Sequence, residues 1–221
     1  MTISAPRPGL SPGSSPGLGP GLRPGWGRRL RKVAARAWWG RRDADPLWQD
    51  SAPIRADLFG VERLEHRART LAEAQIIHTG RPLRVRSLSR RLKLNAGVLL
   101  AAYRFGAKAV NDQQAVSPAA EWLLDNFHLV EQQLRQITED LPSGFYRQLP
   151  KLAEGPFVGY PRVFSIAWAY VAHTDSLISG PGLRRFVQAY QQVQPLMIGE
   201  TWAVAISLRI VLIENMRRLA L

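Results

Sequence analysis

The stretch SPAAEWLLDNFHLVEQQLRQITEDL, residues 117–141, decides the fold class. Its apolar positions Trp122, Leu123, Phe127, Val130, Leu134 and Ile137 recur at helical spacing and never alternate as a half-buried strand would. Ser117 offers a side-chain oxygen to the orphan amides of a first turn, and Pro118 follows at the first helical position, where its missing N–H is no loss. Pro142, Ser143 and Gly144 then predict a stop. A helix striped on one side must bury that stripe, so the segment predicts packed neighbours.

Working outward, the same period appears at 58–77, 88–110, 160–174, 182–193 and 197–219, separated by the Gly/Pro-containing stretches GRPLRVRS, EGPFVGYP, SGPG and QPLMIGE. No strand-like alternation competes with it. The expectation is an all-α fold, an orthogonal bundle or array of about six helices. Trp122, Phe127, Trp168 and Trp202 are expected to anchor its core.

The remaining chain, residues 1–50, reads differently. Residues 1–27 hold six prolines and seven glycines and too little apolar surface to offset ordering, which predicts a disordered tail ahead of a helical module at 51–221. The formal charge of +13 is concentrated there: residues 1–42 carry nine Lys/Arg and no acid, leaving 21 basic against 17 acidic residues in the rest. Within the tail, Leu30, Val33, Ala34, Ala37 and Trp38 share one helical side while Arg28, Arg29, Arg31, Lys32 and Arg36 take others. Such an arm is suited to an anionic membrane surface, with a plainly solvated arm as the alternative. No apolar run is long enough to span a bilayer, and with no cysteine a disulfide framework, a thiolate zinc site and a cysteine nucleophile are excluded.

Chemistry is scarcer. Glu121, Asp125 and His128 fall at i, i+4 and i+7 of the helix at 117–141, an arrangement superficially like the carboxylate–histidine pairs of metal-binding bundles. Completing a metal site would need Glu200, Glu214 or the His173-Thr174-Asp175 cluster to converge on it, and nothing in the spacing requires that. The preferred reading makes Asp125, His128, His173 and Asp175 structural polar groups that cap helix ends and bond across the bundle, with no metal and no cofactor. There is no phosphate-binding loop, no nucleophile elbow, and no basic–aromatic interleaving outside the tail, so neither a catalytic residue nor a nucleic-acid partner is expected.

Read as a string, the chain is more telling. DNFH at 125–128, FYRQLPKL at 145–152, GYPR at 159–162, AHTD at 172–175 and the GE-W pair at 199–202 occur in an order that resembles the N-terminal region of bacterial cyclic β-1,2-glucan synthases. Residues 56–116, opening ADLFGVERLEHRARTLAEAQ, resemble that region's first helices, so about three quarters of the chain is covered. The resemblance implies a large inner-membrane enzyme that polymerises glucose from UDP-glucose, with its catalytic and membrane parts elsewhere. It further implies that this chain is a non-catalytic helical module, a fragment or split-gene product, at the cytoplasmic face of the inner membrane with the remainder of the synthase as partner. The other reading is a free-standing interaction module held at an anionic membrane by its basic arm. Because the growing glucan of that family is carried on protein, Tyr146 is a candidate attachment residue, expected in a surface loop after the stop at 142–144.

Overall fold

Arg162 to His173 forms a helix whose residues are nearly all buried, and a helix apolar on every side belongs in the middle of a protein. A computed structural model describes residues 50–78 and 85–220. Among them, seven helices follow in order: α1 Val61–Ala74, α2 Leu88–Asn111, α3 Pro118–Asp140, α4 Ser143–Gln148, α5 Arg162–His173, α6 Gly180–Gln191 and α7 Ile198–Leu219. The fold is all-α, as the periodicity predicts. Only two isolated antiparallel bridges, Ile77 with Leu152 and Lys151 with Pro161, interrupt the helical picture among the described residues.

The helices form three layers. α5 packs chiefly on α7 in the centre, α1 and α6 pair with each other and cover α5, and α2 and α3 pair with each other and cover α7. Tyr170 on α5 meets Phe186 on α6 edge-on at 5.4 Å, while Phe164 on α5 lies 6.0 Å from the Arg91 guanidinium of α2, so the central helix is packed on both sides. The chain visits one outer layer, then the other, before laying down the central helix, so α6 closes the layer that α1 opens.

Local signals set most boundaries. Ser117 accepts from the Ala120 amide at 3.3 Å and Ser87 from the Arg90 amide at 3.1 Å, each capping a helix start. Ser179 caps α6 by accepting from the Gly182 amide at 3.3 Å. Gly182 cannot be larger without adjustment, because a Cβ there would stand 3.1 Å from the Tyr170 hydroxyl. Gly159, at φ 79°, supplies the left-handed turn that lets the 149–161 connection double back and bond to itself, Gly159 N to Leu152 O and Leu152 N to Tyr160 O, both 2.9 Å.

Two expectations change. The stop at 142–144 is also a start: Pro142 is the N-cap of the short helix α4, where its missing N–H matters least. Trp122 and Trp202 are not core anchors, being 50% and 75% exposed, whereas Phe127 is buried and Trp168 packs against the core. Helical spacing marks an apolar stripe but not which neighbour covers its ends, and Trp122 and Trp202 lie near the starts of α3 and α7. The tail and its basic arm, within residues 1–49, lie outside the described residues.

Trp168 meets Phe157 and Phe164 edge-on at 5.4 and 5.8 Å, with the Arg218 guanidinium 4.9 Å from its ring centre. Truncating Trp168 to Ala should therefore lower stability by about 3 kcal/mol, while Trp202→Ser should change it by less than about 0.5 kcal/mol. Chemical denaturation of both variants measures this, and equal losses would contradict the arrangement.

Candidate functional site

Buried charge is concentrated on α7. Glu214 is fully buried and accepts from four side chains: Arg91 Nε at 3.1 Å and Nη2 at 2.8 Å, Asn95 Nδ2 at 2.8 Å, Arg217 Nη2 at 2.8 Å and Arg218 Nε at 3.2 Å. Arg91 and Asn95 sit one turn apart on α2, so both reach the same carboxylate. Burial alone would raise the Glu214 carboxyl; the charges of Arg91 and Arg217, with hydrogen bonds from Arg217 and Asn95, overcome it and hold it down to about 2. Burial in turn pulls the Arg217 guanidinium down from its ordinary value.

One carboxylate cannot balance three guanidiniums, and the segment at 50–59 adds a second, Asp50, together with backbone carbonyls. Arg218 Nη1 donates to Asp50 Oδ2 at 3.0 Å and to the Ala52 carbonyl at 2.7 Å. Ile54 N donates to Asn215 Oδ1 at 2.7 Å, and Ala56 N and Phe59 N donate to the Ala172 and His173 carbonyls at 2.9 and 3.1 Å. Those last two carbonyls belong to the final turn of α5, where no intrahelical partner exists. The segment is thus a strap that closes two helix ends at once.

The opposite end of α7 repeats the device. Arg162, at the start of α5, grips Glu200 in a two-pronged pair, Nε to Oε1 and Nη2 to Oε2, both at 2.6 Å. Its remaining donors go to Gln194 Oε1 at 3.1 Å and the Pro195 carbonyl at 2.8 Å. Glu200 also accepts from the Met197 amide at 3.0 Å, capping α7. A shallow cleft of about 510 Å³ opens beside this pair, lined by Gln75, Ile76, Ile77, Arg162, Val193, Gln194 and Pro195. Its polar groups are already spent on one another: Gln194 Nε2 on the Gln75 carbonyl at 2.9 Å, Gln75 Oε1 on the Tyr190 hydroxyl at 2.7 Å, and Gln75 Nε2 on Ser165 Oγ at 3.1 Å. The arrangement holds helices together and offers the cleft no convergent acid, base or nucleophile.

The residues singled out from sequence fall elsewhere. Asp125 and His128 are exposed on α3, and His173 and Asp175 end the α5 region, on helices that do not touch α3. They do not form one cluster. His173 stacks on Phe59 at 4.1 Å and its Nδ1 lies 2.8 Å from the Asp57 carbonyl, while Asp175 pairs with Arg55 at 2.8 Å. Two further carboxylates, Glu200 and Glu214, which stand fourteen residues apart, about 21 Å along the helix, also bond across the bundle. Among the described residues no group of three or more His, Cys, Asp or Glu side chains is placed to hold a metal ion. Arg28, Arg29, Arg31, Lys32 and Arg36 lie outside the described residues.

Tyr146 is not in a surface loop. It lies in α4, is buried, and its hydroxyl donates to the Arg86 carbonyl. Burial pushes its phenol well above the ordinary value, and the neighbouring Tyr160 adds to that. Lys151 closes the same corner by donating to the Tyr146 and Leu149 carbonyls, both at 2.6 Å, with burial holding its ammonium down to about 8. A glucan acceptor must reach a distant active site, so an attachment role would require Tyr146 to leave this pocket. The signal missed in the sequence was that α4 restarts directly after Pro142.

An all-α module braced by buried arginine–glutamate pairs is what the fold and its polar interior define. No protein-family model matches the chain. Over 170 residues, 76% of its length, it is 39% identical to the cyclic beta-(1,2)-glucan synthase NdvB of Rhizobium meliloti (strain 1021). The matched portion spans only 6% of that synthase. The chain is therefore related to the bacterial cyclic β-1,2-glucan synthases through one short part of a much longer polypeptide.

Replacing Glu214 by Gln leaves three guanidiniums around a neutral group. We expect a loss of about 3–5 kcal/mol, a fall in Tm on the order of 10 °C, while Asp125→Ala and His128→Ala stay within about 0.5 kcal/mol. The sign with pH follows from the lowered Glu214 carboxyl. Its contribution is complete above the ordinary value of 4.5 and disappears as pH falls toward about 2, so the acid limb of stability should flatten in Glu214→Gln. An acid limb identical to the parent's would contradict it.

Proposed function

We propose that the chain is a non-catalytic helical module of a cyclic β-1,2-glucan synthase that polymerises glucose from UDP-glucose, packed against the remainder of that enzyme at the cytoplasmic face of the inner membrane. The observation that carries this reading is the 170-residue match, which falls within a synthase more than ten times longer. The spent polar groups of the cleft support the non-catalytic part. The packing part is supported by α7, whose first turns turn Ile198, Trp202 and Ala205 outward at i, i+4 and i+7, with Met197 beside them. Ile198 and Trp202 are 81% and 75% exposed, and large apolar side chains grouped on a surface mark contact with another protein.

Co-expression of the full chain with the remaining synthase polypeptide, followed by affinity recovery and a UDP-glucose incorporation assay, tests this. The parent chain should co-purify, and Ile198→Ser with Trp202→Ser should lower recovery at least about tenfold without altering thermal unfolding. Glucose transfer by the chain alone would refute the non-catalytic reading, and undiminished recovery of the double variant would refute the docking surface.

The second reading, a free-standing interaction module held at an anionic membrane, is favoured by one feature: nine Lys/Arg and no acid in residues 1–42. No helix among the described residues is long and apolar enough to cross a membrane, so contact with lipid would be at the surface.

A further inference from the structure

We propose that the outer face of the α2/α3 layer is a self-association surface, on which the basic stripe of α2 in one copy of the chain lies along the acidic stripe of α3 in a second copy, and the reverse. The two helices are opposite in charge. α2 carries Arg90, Arg91, Lys93, Arg104 and Lys108 and no acid, whereas α3 carries Glu121, Asp125, Glu131, Glu139 and Asp140 against the single base Arg135. Arg91 is buried on Glu214 and Asp140 pairs with Arg209, while the others lie exposed.

Helical geometry lines these charges up. Arg90, Lys93, Gly97, Ala101, Arg104 and Lys108 share the side of α2 turned away from buried Leu88, Asn95 and Leu99. Glu121, Asp125, Leu129, Gln132 and Glu139 likewise share the side of α3 turned away from buried Leu123, Phe127 and Ile137. Each stripe spans eighteen residues, about 27 Å. Among the described residues no ion pair uses the charges of either stripe. A bare row of like charge repels itself, and an opposite row relieves it.

Register decides what covers the face. A Cβ on Gly106 would stand 3.6 Å from Leu124, and Tyr103 stacks on Phe127 at 4.3 Å. Three residues back on α2 thus answer to three forward on α3, so the helices run antiparallel with a fixed pairing of heights. That pairing sets Lys108 level with Trp122 and next to Glu121, Arg104 next to Asp125, Ala101 level with Leu129, and Arg90 next to Glu139. Within one copy these side chains point outward side by side rather than at one another. A two-fold axis running along the layer, above the seam between α2 and α3, keeps every height and exchanges the two sides. It therefore lays Arg104 on Asp125, Lys108 on Glu121 and Trp122, and Arg90 on Glu139 of the second copy, twice over, in a closed isologous contact. A two-fold axis across the helices would instead set like on like. At the middle, Leu129, 45% exposed, meets Ala101 beside Gly97, which has open space where a Cβ would stand. Two helix widths of about 10 Å over some 30 Å give roughly 600 Å² per copy, about 1,200 Å² in all, at the small end of specific interfaces.

Sedimentation equilibrium of the full chain tests this. We expect a dimer at about 50 μM protein in 0.1 M salt, with a dissociation constant at least about tenfold larger in 1 M salt, where the Debye length has shrunk from about 10 Å to about 3 Å. Arg104→Glu with Lys108→Glu, and separately Glu121→Lys with Asp125→Lys, should each leave the chain monomeric. Mixed in equal amounts, the two variants should form a heterodimer, because each reversed stripe then finds its reversed complement and each native stripe its native one. That recovery also shows that both variants are folded. A parent chain that stays monomeric, a dimer indifferent to both reversals, or mixed variants that remain apart overturns the surface. Self-association kept by either variant alone overturns it too; kept by the α2 variant, it assigns the acidic stripe to the basic residues at 28–36 instead.

Discussion

One buried carboxylate, Glu214, governs how the ends of this molecule are tied. It faces Arg91 from α2 and Arg217 and Arg218 from its own helix, and none of these charges has water to fall back on. A buried pair of this kind is not a large net source of stability, because desolvation offsets most of the attraction. It is instead intolerant of partial assembly: every partner must be present, or a bare charge remains in the interior. That condition specifies how α2 crosses α7 and recruits the strap, whose carbonyls and Asp50 take up the excess positive charge. Arg162 and Glu200 impose the same condition where α5 begins beside α7.

The central layer is therefore fixed at both ends by ions and along its length by close apolar packing. Arginine suits the task because its planar fork meets a carboxylate with two bonds and stacks on rings. Arg91 lies 5.7 Å from the Tyr160 ring centre, Arg162 5.9 Å from Tyr190 and Arg218 4.9 Å from Trp168. Lysine in any of these places would lose the second bond and the stacked plane.

Much of this was legible in sequence and some was not, for physical reasons. Ser117 with Pro118 is a local signal, and its capping role appears where expected. Helices at 88–110 and 197–219 match α2 and α7 within a residue or so, because long apolar periods are hard to mistake. Partner choice is a different matter. Glu200 and Glu214 look in sequence like spare carboxylates, and only the folded chain shows that Arg162 and Arg91, 38 and 123 residues away, claim them. Trp122 and Trp202 carry the right period, but each lies on the outward side of a turn whose inward residues, Leu123 and Ala203, take the core. Tyr146 follows a helix stop, yet Pro142 opens another turn and draws the phenol inside.

For function, the rigid interior and the exposed ends point in opposite directions. The polar interior is consumed by architecture, and the stretch of the relative that the chain matches is 6% of a far longer synthase. The account stands or falls on the charge of Glu214. Titrating its side-chain carboxyl by carbon NMR, assigned by the peak lost in Glu214→Gln, should give a midpoint near 2. A midpoint at the ordinary 4.5 would mean that the guanidiniums do not surround it, and the tying of strap, α2 and α7 described above would be wrong.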